Sequence, residues 1–336
     1  MDVTRPISPP SPAPTREHGG TDALGAALFD FSTNSNSCGP CPAALAAVGQ
    51  ADVSRYPDGS YTELRAQLAA FHDVDPQRVL LAGSASEFIF RITGWVVQRG
   101  GRSVNLPRHA YGDYAQAASA WGLRTVGQPN DADLVWCCEP SSPLGGSHTN
   151  WPRGFSSPTV LDCAYEPLRL EGEASLTEAQ GAQVWQLWTP NKALGLTGVR
   201  GAYVIAPQGA YNSVAALERM CPSWPVGAHG VAMLQAWVQP EVQTWLLDSL
   251  ATLSAWKARQ IAQLETLGWT CLPSDANFFC AQPPQAVDVN ALREAGIKLR
   301  DATSFGLPGH VRLGVLPPDA QDALVAACSA QIELRA

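Results

Sequence analysis

Lysine is scarce in this chain of 336 residues: only Lys192, Lys257 and Lys298 occur. Lys192 closes a short polar turn, Thr189-Pro190-Asn191, that follows the apolar run Val184 to Trp188. Small and apolar residues come next, then Arg200, then a second apolar run from Ala202. A lysine at the end of a strand, in a glycine-rich loop, is placed to be a desolvated amine. Such an amine can act as a nucleophile or form a Schiff base with an aldehyde cofactor. The same local pattern also suits an ordinary surface lysine, so other parts of the chain must decide. Other apolar runs end on Ser84, Ser142 and Asp162.

One cysteine pair invites a different chemistry. Cys38-Gly39-Pro40-Cys41 has the spacing of a thioredoxin redox motif, which needs a strand before it, a helix directly after it and a small domain around it. The preceding Phe31-Ser32-Thr33-Asn34-Ser35-Asn36 is polar and does not supply that context. No second Cys/His pair stands at ligand spacing, so no metal site is expected. Nine cysteines spread along apolar segments suit buried thiols in a reducing cytoplasm better than a disulfide framework.

The elements that must position these residues follow an α/β rhythm. Val79 to Ala82, Ser103 to Leu106, Leu134 to Cys138, Thr159 to Leu161, Val184 to Trp188 and Ala202 to Ala206 read as strands. Helices are expected after Ser84 to about Gln98 and over Tyr111 to Trp121. Continuous apolar runs ending in polar or glycine-rich loops predict a mostly parallel sheet covered by helices on both faces. Ligands of such sheets gather at the carboxyl ends of the strands. From about Ala210 long helices take over, Val242 to Leu267 among them, with tryptophans better suited to core than to a cofactor cage. A smaller α+β unit follows, with strands near Phe278 to Ala281 and Val311 to Val315 and a helix from about Asp319 to Ile332. The expected organisation is a flexible tail over 1–17, an N-terminal arm over 18–50, a large domain over 51–225, and a long connecting helix with a small domain over 226–336.

A net charge of −8 and a pI near 5.2 argue against a nucleic-acid or anionic-membrane partner. No run of 18 apolar residues predicts a transmembrane helix, and the Pro/Ser-rich stretch Met1 to Arg16 lacks the apolar region of a secretory signal. The expected location is the cytoplasm.

Taken together, the strand-end residues resemble the fold-type I pyridoxal-phosphate enzymes. The resemblance implies pyridoxal 5′-phosphate as cofactor, with Lys192 as the Schiff-base lysine. Asp162 would pair with the protonated pyridine nitrogen, and Tyr165 would hydrogen-bond the ring hydroxyl. Ser84, Ala85 and Ser86 would cradle the cofactor phosphate at a helix N-terminus, where free amides favour an anion. Thr189 and Arg200 would hold the same phosphate, and Tyr111 would stack on the ring. Tyr56, in Arg55-Tyr56-Pro57-Asp58, would reach the phosphate of a neighbouring subunit, which implies a homodimer. Arg312 would grip the substrate carboxylate, with Asn36 beside it. The chain departs from the family at Ser142, where an asparagine usually donates to the ring hydroxyl, and at His109, where a proline usually precedes the stacking aromatic.

Within that superfamily the chain looks most like the histidinol-phosphate aminotransferase subgroup and, more narrowly, the threonine-phosphate decarboxylases of cobalamin biosynthesis. The narrower likeness lies in His18-Gly19-Gly20, Asp30-Phe31-Ser32-Thr33-Asn34-Ser35-Asn36 and Ser304-Phe305-Gly306-Leu307-Pro308-Gly309. It implies decarboxylation of L-threonine O-3-phosphate to (R)-1-amino-2-propanol O-2-phosphate. The alternative is an aminotransferase that passes an amino group to 2-oxoglutarate; a third reading is a non-catalytic module that binds the cofactor.

Overall fold

The computed structural model describes residues 18–333; the Pro/Ser-rich stretch Met1 to Arg16 lies outside them. In chain order, β1 (Phe29–Asp30) precedes two helices, α1 (Pro42–Gly49) and α2 (Thr62–Phe71). The alternating part comprises β2 (Val79–Ala82), α3 (Ala85–Gln98), β3 (Ser103–Asn105), α4 (Gly112–Ala120), β4 (Arg124–Thr125), β5 (Leu134–Cys138) and β6 (Thr159–Asp162). It continues through α5 (Glu178–Gly181), β7 (Trp185–Trp188) and β8 (Ala202–Ile205). Three helices follow, α6 (Tyr211–Arg219), α7 (Ala228–Trp237) and α8 (Pro240–Thr266). The last part holds β9 (Thr270–Cys271), β10 (Phe278–Gln282), α9 (Val289–Glu294), β11 (Ile297–Lys298), β12 (Arg300–Asp301), β13 (Val311–Gly314) and α10 (Pro318–Glu333).

Seven strands form one sheet in the order β2-β8-β7-β6-β5-β3-β4. Only β8 runs against the others, because it pairs antiparallel with both β2 and β7. The expected mostly parallel α/β sheet is therefore present, and β2, β5, β6 and β7 deliver their carboxyl ends to one edge. The strands β2, β5 and β8 are buried along their whole length because both faces of the sheet are covered there. Along β2, Val79 and Leu81 enter one core and the alternate Leu80 and Ala82 the other.

A second sheet has the order β12-β13-β10-β9, and β1 pairs with β11 in a separate two-stranded ladder. The N-terminal segment thus reaches across the chain: Gly314 N donates to Phe31 O at 2.7 Å, which seats the end of β13 against residues 31–35. The 27 residues of α8 span roughly 40 Å. Its Trp245 and Trp256 pack against the core, the position expected from their helical spacing.

A candidate active site at the carboxyl ends of the strands

Lys192 sits in a loop that backbone hydrogen bonds fix from the side. Asn36 N donates to Lys192 O at 2.9 Å, and Cys41 N donates to Leu194 O at 2.9 Å. Gly195 takes φ +68°, and a Cβ there would lie 3.0 Å from Pro40 Cα, so glycine permits the close approach of the two segments. This gives the Cys-Gly-Pro-Cys stretch a packing role: it braces the lysine loop. Burial pushes the Cys38 thiol up, away from the thiolate that redox chemistry needs.

The half-buried amine of Lys192 lies 5.3 Å from the centroid of the Tyr165 ring. Asp162 ends β6 between Cys138 of β5 and Leu187 of β7. Only 4% of it is exposed. Its Oδ1 accepts from Ala164 N at 2.9 Å, and its Oδ2 accepts from the Tyr114 hydroxyl at 2.6 Å. Burial pushes this carboxyl up, while the Tyr114 hydroxyl and the charge of Lys192 pull it down. A buried acid in that balance stays ionised most readily opposite a cation.

A phosphate-sized anion finds donors nearby. Ser84 caps α3, its hydroxyl accepting from Glu87 N at 3.1 Å. The amides of the first helical turn, including Ala85 and Ser86, have no carbonyl within the helix to meet. Gly83, just before this helix, lets the backbone approach residue 225 closely, since a Cβ there would lie 2.8 Å from Pro225 O. Thr189 is 6% exposed, and its hydroxyl has no hydrogen-bond partner among the described residues. Arg200 adds a charge to the same cleft. Tyr111 stands at the N-terminus of α4, its hydroxyl 3.3 Å from Ser86 Oγ.

The opposite wall comes from the second sheet. Arg312, 7% exposed, donates from Nη2 to Ser32 O at 3.0 Å and from Nη1 to Ser142 Oγ at 3.3 Å. Phe278 and Phe305 flank its guanidinium at 5.8 and 5.3 Å. No carboxylate pairs with it among the described residues, and its Nε has no partner there. Burial, with the neighbouring Arg300 charge adding to it, lowers the pKa of Arg312. Arg300, its register partner on β12, lines the same space.

These walls enclose a cleft of about 1090 Å³. It gathers Lys192, Asp162, Tyr165 and Ser142 with Thr189, Arg200 and Tyr111, and it meets the Ser84-Ala85-Ser86 turn and Arg312. Two expected residues lie elsewhere. Asn36 spends its side-chain amide on Ala193 O at 3.0 Å and Ser249 Oγ at 2.7 Å, because it braces the lysine loop. Asn34 faces the cleft instead and donates to the Tyr165 hydroxyl at 3.3 Å. Tyr56 is 78% exposed and stacks on Trp224 at 4.4 Å, outside the cleft of its own chain. Tyr114, Asn34 and Arg300 belong to the site without having been expected. Only Tyr114 left a signal, three residues beyond Tyr111 and so on the same face of a helix.

An acid, an amine and a phosphate-sized cradle at the strand ends of a mostly parallel sheet define an enzyme of the pyridoxal-phosphate type. Residues 155–327, just over half the chain, match the aminotransferase class I and II family, and the chain belongs to it. It is 26% identical to the histidinol-phosphate aminotransferase of Jannaschia sp. (strain CCS1), over 90% of this chain and 91% of that one. A histidinol-phosphate aminotransferase of Halorubrum lacusprofundi is 28% identical over 85% of this chain and 84% of its own length. Among solved structures, the Sinorhizobium meliloti histidinol-phosphate aminotransferase in complex with pyridoxal-5′-phosphate superposes with a TM-score of 0.75 at 21% identity, covering 93% of each chain. The L-threonine-O-3-phosphate decarboxylase of Porphyromonas gingivalis does so with a TM-score of 0.74 at 18% identity, over 91% of this chain and 100% of that one. These two structures show the shared fold. The cofactor is pyridoxal 5′-phosphate, that of the family. The site fits it: the orphaned Thr189 hydroxyl lies where a phosphate would dock, and Asp162 is a buried acid with room for a pyridinium. No helix among the described residues is long and apolar enough to cross a membrane.

Proposed function

We propose that the protein is an aminotransferase of the histidinol-phosphate aminotransferase type, passing an amino group between an anionic amine and 2-oxoglutarate. The observation that carries this reading is Arg312. A buried guanidinium without a carboxylate partner among the described residues, in one cleft with Lys192 and Asp162, is built to receive an anionic substrate. The curated relatives support transamination over the decarboxylation that the sequence motifs bring forward.

When bound, pyridoxal phosphate supplies an electron sink for charge that develops on the substrate's reacting carbon. Lys192 would anchor the cofactor through Nζ and, once the substrate amine displaces it, would be free to take the proton from that carbon. Asp162 would serve the pyridine nitrogen, and the amides of the α3 turn, Thr189 and Arg200 would hold the phosphate. Tyr165, oriented by Asn34, and Ser142 would serve the ring hydroxyl, and Tyr111 would lie against the ring. Arg312 would bind the anionic group of the substrate and so orient the reacting carbon. The reading includes a cytoplasmic homodimer, in which the exposed Tyr56 enters the partner's cleft.

Decarboxylation of L-threonine O-3-phosphate is the second reading, favoured by Arg300. A second guanidinium beside Arg312 suits a substrate with both a phosphate and a carboxylate. The two differ in which substituent the clamp presents. If the carboxylate leaves as CO2, Lys192 Nζ gives a proton to the carbon instead of taking one. Purified protein is incubated with histidinol phosphate and 2-oxoglutarate, and separately with threonine phosphate. Glutamate in the first mixture supports the aminotransferase; CO2 in the second with no glutamate in the first overturns it.

A further inference from the structure

Asp162 meets two donors, and they differ in origin. The Ala164 amide belongs to its own loop, whereas the Tyr114 hydroxyl, 2.6 Å away, comes from the first turn of α4. Tyr114 has no exposed surface. Its ring lies flat on Trp136, with centroids 4.4 Å apart and planes at 11°, and meets Tyr111 edge-on at 5.8 Å. Packing on two sides therefore fixes this ring, and the hydroxyl it presents is aimed at the Asp162 carboxylate that lines the cleft.

We propose that Tyr114 is a positioning residue for the reaction: its hydroxyl fixes the Asp162 carboxylate and holds it ionised, and so decides how firmly the pyridine nitrogen keeps its proton. The proposal rests on the reading of Asp162 as the acid that faces that nitrogen. A carboxylate and a pyridine can share one proton in two ways, as an ion pair with the proton on nitrogen or as a neutral acid beside a neutral ring. A donor on Oδ2 favours the first arrangement, because an ionised oxygen is the stronger acceptor. Burial drives Asp162 toward the second, and the phenol opposes it.

Tyr114 can play this part because its own proton stays in place: burial and the neighbouring Asp162 charge push the phenol well above its ordinary value. The adjacent Cys138 thiol is pushed up by the same burial and adds no competing charge. By bracing Tyr111 through its edge, the same ring links the residue over the cofactor to the residue beneath its nitrogen.

The test uses holoenzyme loaded with pyridoxal phosphate labelled with ¹⁵N at the ring nitrogen, whose resonance reports protonation without turnover. Four proteins are compared: wild type, Asp162→Asn, Tyr114→Phe and Trp136→Phe. Wild type is expected in the protonated range and Asp162→Asn near the unprotonated end. Tyr114→Phe, which keeps the ring and loses only the hydroxyl, is expected to move part of the way, with kcat down about tenfold and KM unchanged. Trp136→Phe, which keeps an aromatic face against Tyr114 and leaves the hydroxyl in place, is expected to stay with wild type. A wild-type resonance in Tyr114→Phe, or an equal movement in Trp136→Phe, overturns the proposal. An unmoved resonance in Asp162→Asn overturns the underlying reading of Asp162, and the proposal with it.

Discussion

At the residue scale, the chemistry is set by which charges are left without partners. Several buried or half-buried cations are committed to acids: Arg169 pairs with Glu139 and Glu166, Arg91 with Glu87, and Arg65 with Glu218. Arg312, also buried, meets only a carbonyl, a hydroxyl and two rings. That arrangement costs stability until an anion arrives, and this is how a site stores binding energy for its substrate. Arg312→Lys keeps the charge but loses the planar fork that reaches Ser32 O and Ser142 while still facing the cleft. We expect KM for the anionic substrate to rise roughly thirtyfold, about 2 kcal/mol, with cofactor content unchanged. Steady-state kinetics beside the cofactor absorbance of the purified variant check this, and an unchanged KM rules Arg312 out as the clamp. Ser142 shows what the departure from asparagine does: its hydroxyl ties the clamp to the loop that ends β5, a link with the substrate side of the cleft.

At the element scale, the lysine loop is held by whatever packs behind β7 and β8. Here α2 ends in His72, whose Nε2 lies 2.8 Å from the Tyr203 hydroxyl, and that hydroxyl accepts from Trp237 Nε1 at 3.1 Å. Phe71 and Trp188 also crowd the imidazole. Burial lowers its pKa from 6.5 to about 4, so the folded protein keeps His72 neutral while the unfolded chain protonates it normally. The unfolded state therefore binds more protons between those values, and stability is present above pH 6.5 and lost as pH falls toward 4. Discounted for its partial exposure, His72 is expected to cost about 1.5 kcal/mol between about pH 7.5 and pH 5. Denaturant unfolding of wild type and His72→Gln at both pH values isolates it: the variant should lose less stability on acidification by that amount, and equal losses remove His72 as the cause.

Much of this level was legible in the sequence, for a physical reason. Strands buried on both faces must be continuously apolar, so Val79 to Ala82 and Leu134 to Cys138 announce themselves, and the polar residue that ends such a run marks the site edge. Two-residue strands such as β1, β4 and β12 carry too few side chains for any period to be read. Asn36 lies outside the cleft because its side-chain amide donates to the Ala193 carbonyl and the Ser249 hydroxyl, partners 157 and 213 residues away that leave no local trace. Tyr56 is a different case, since its expected role needs a second chain.

At the scale of the whole molecule, the cleft exists because three distant stretches meet: the strand ends of the large sheet, β13, and the N-terminal arm. Beside the β1–β11 ladder, one acid adds a charged tie to the arm. Asp22 accepts from Arg293 Nη2 at 3.0 Å and from Lys298 Nζ at 2.8 Å, while Arg293 also holds Gly25 O at 2.9 Å. Those two cations hold the Asp22 carboxyl well below the usual carboxylate range. Next to this latch the arm turns inward, Gly20 N donating to Ser32 Oγ at 2.9 Å, and His18 and Gly19 line the cleft. The latch is a surface ion-pair pair, so it does little for global stability and can still decide where one wall stands. Asp22→Ala is therefore expected to leave the melting temperature and the cofactor absorbance as in wild type while raising KM for the substrate several-fold. Salt should reproduce the effect in wild type and not in the variant, because screening at about 1 M weakens exposed pairs that are strong at low ionic strength. KM measured for both proteins across that range decides it: a variant with wild-type KM at low salt would make the arm a bystander, and the cleft complete without it.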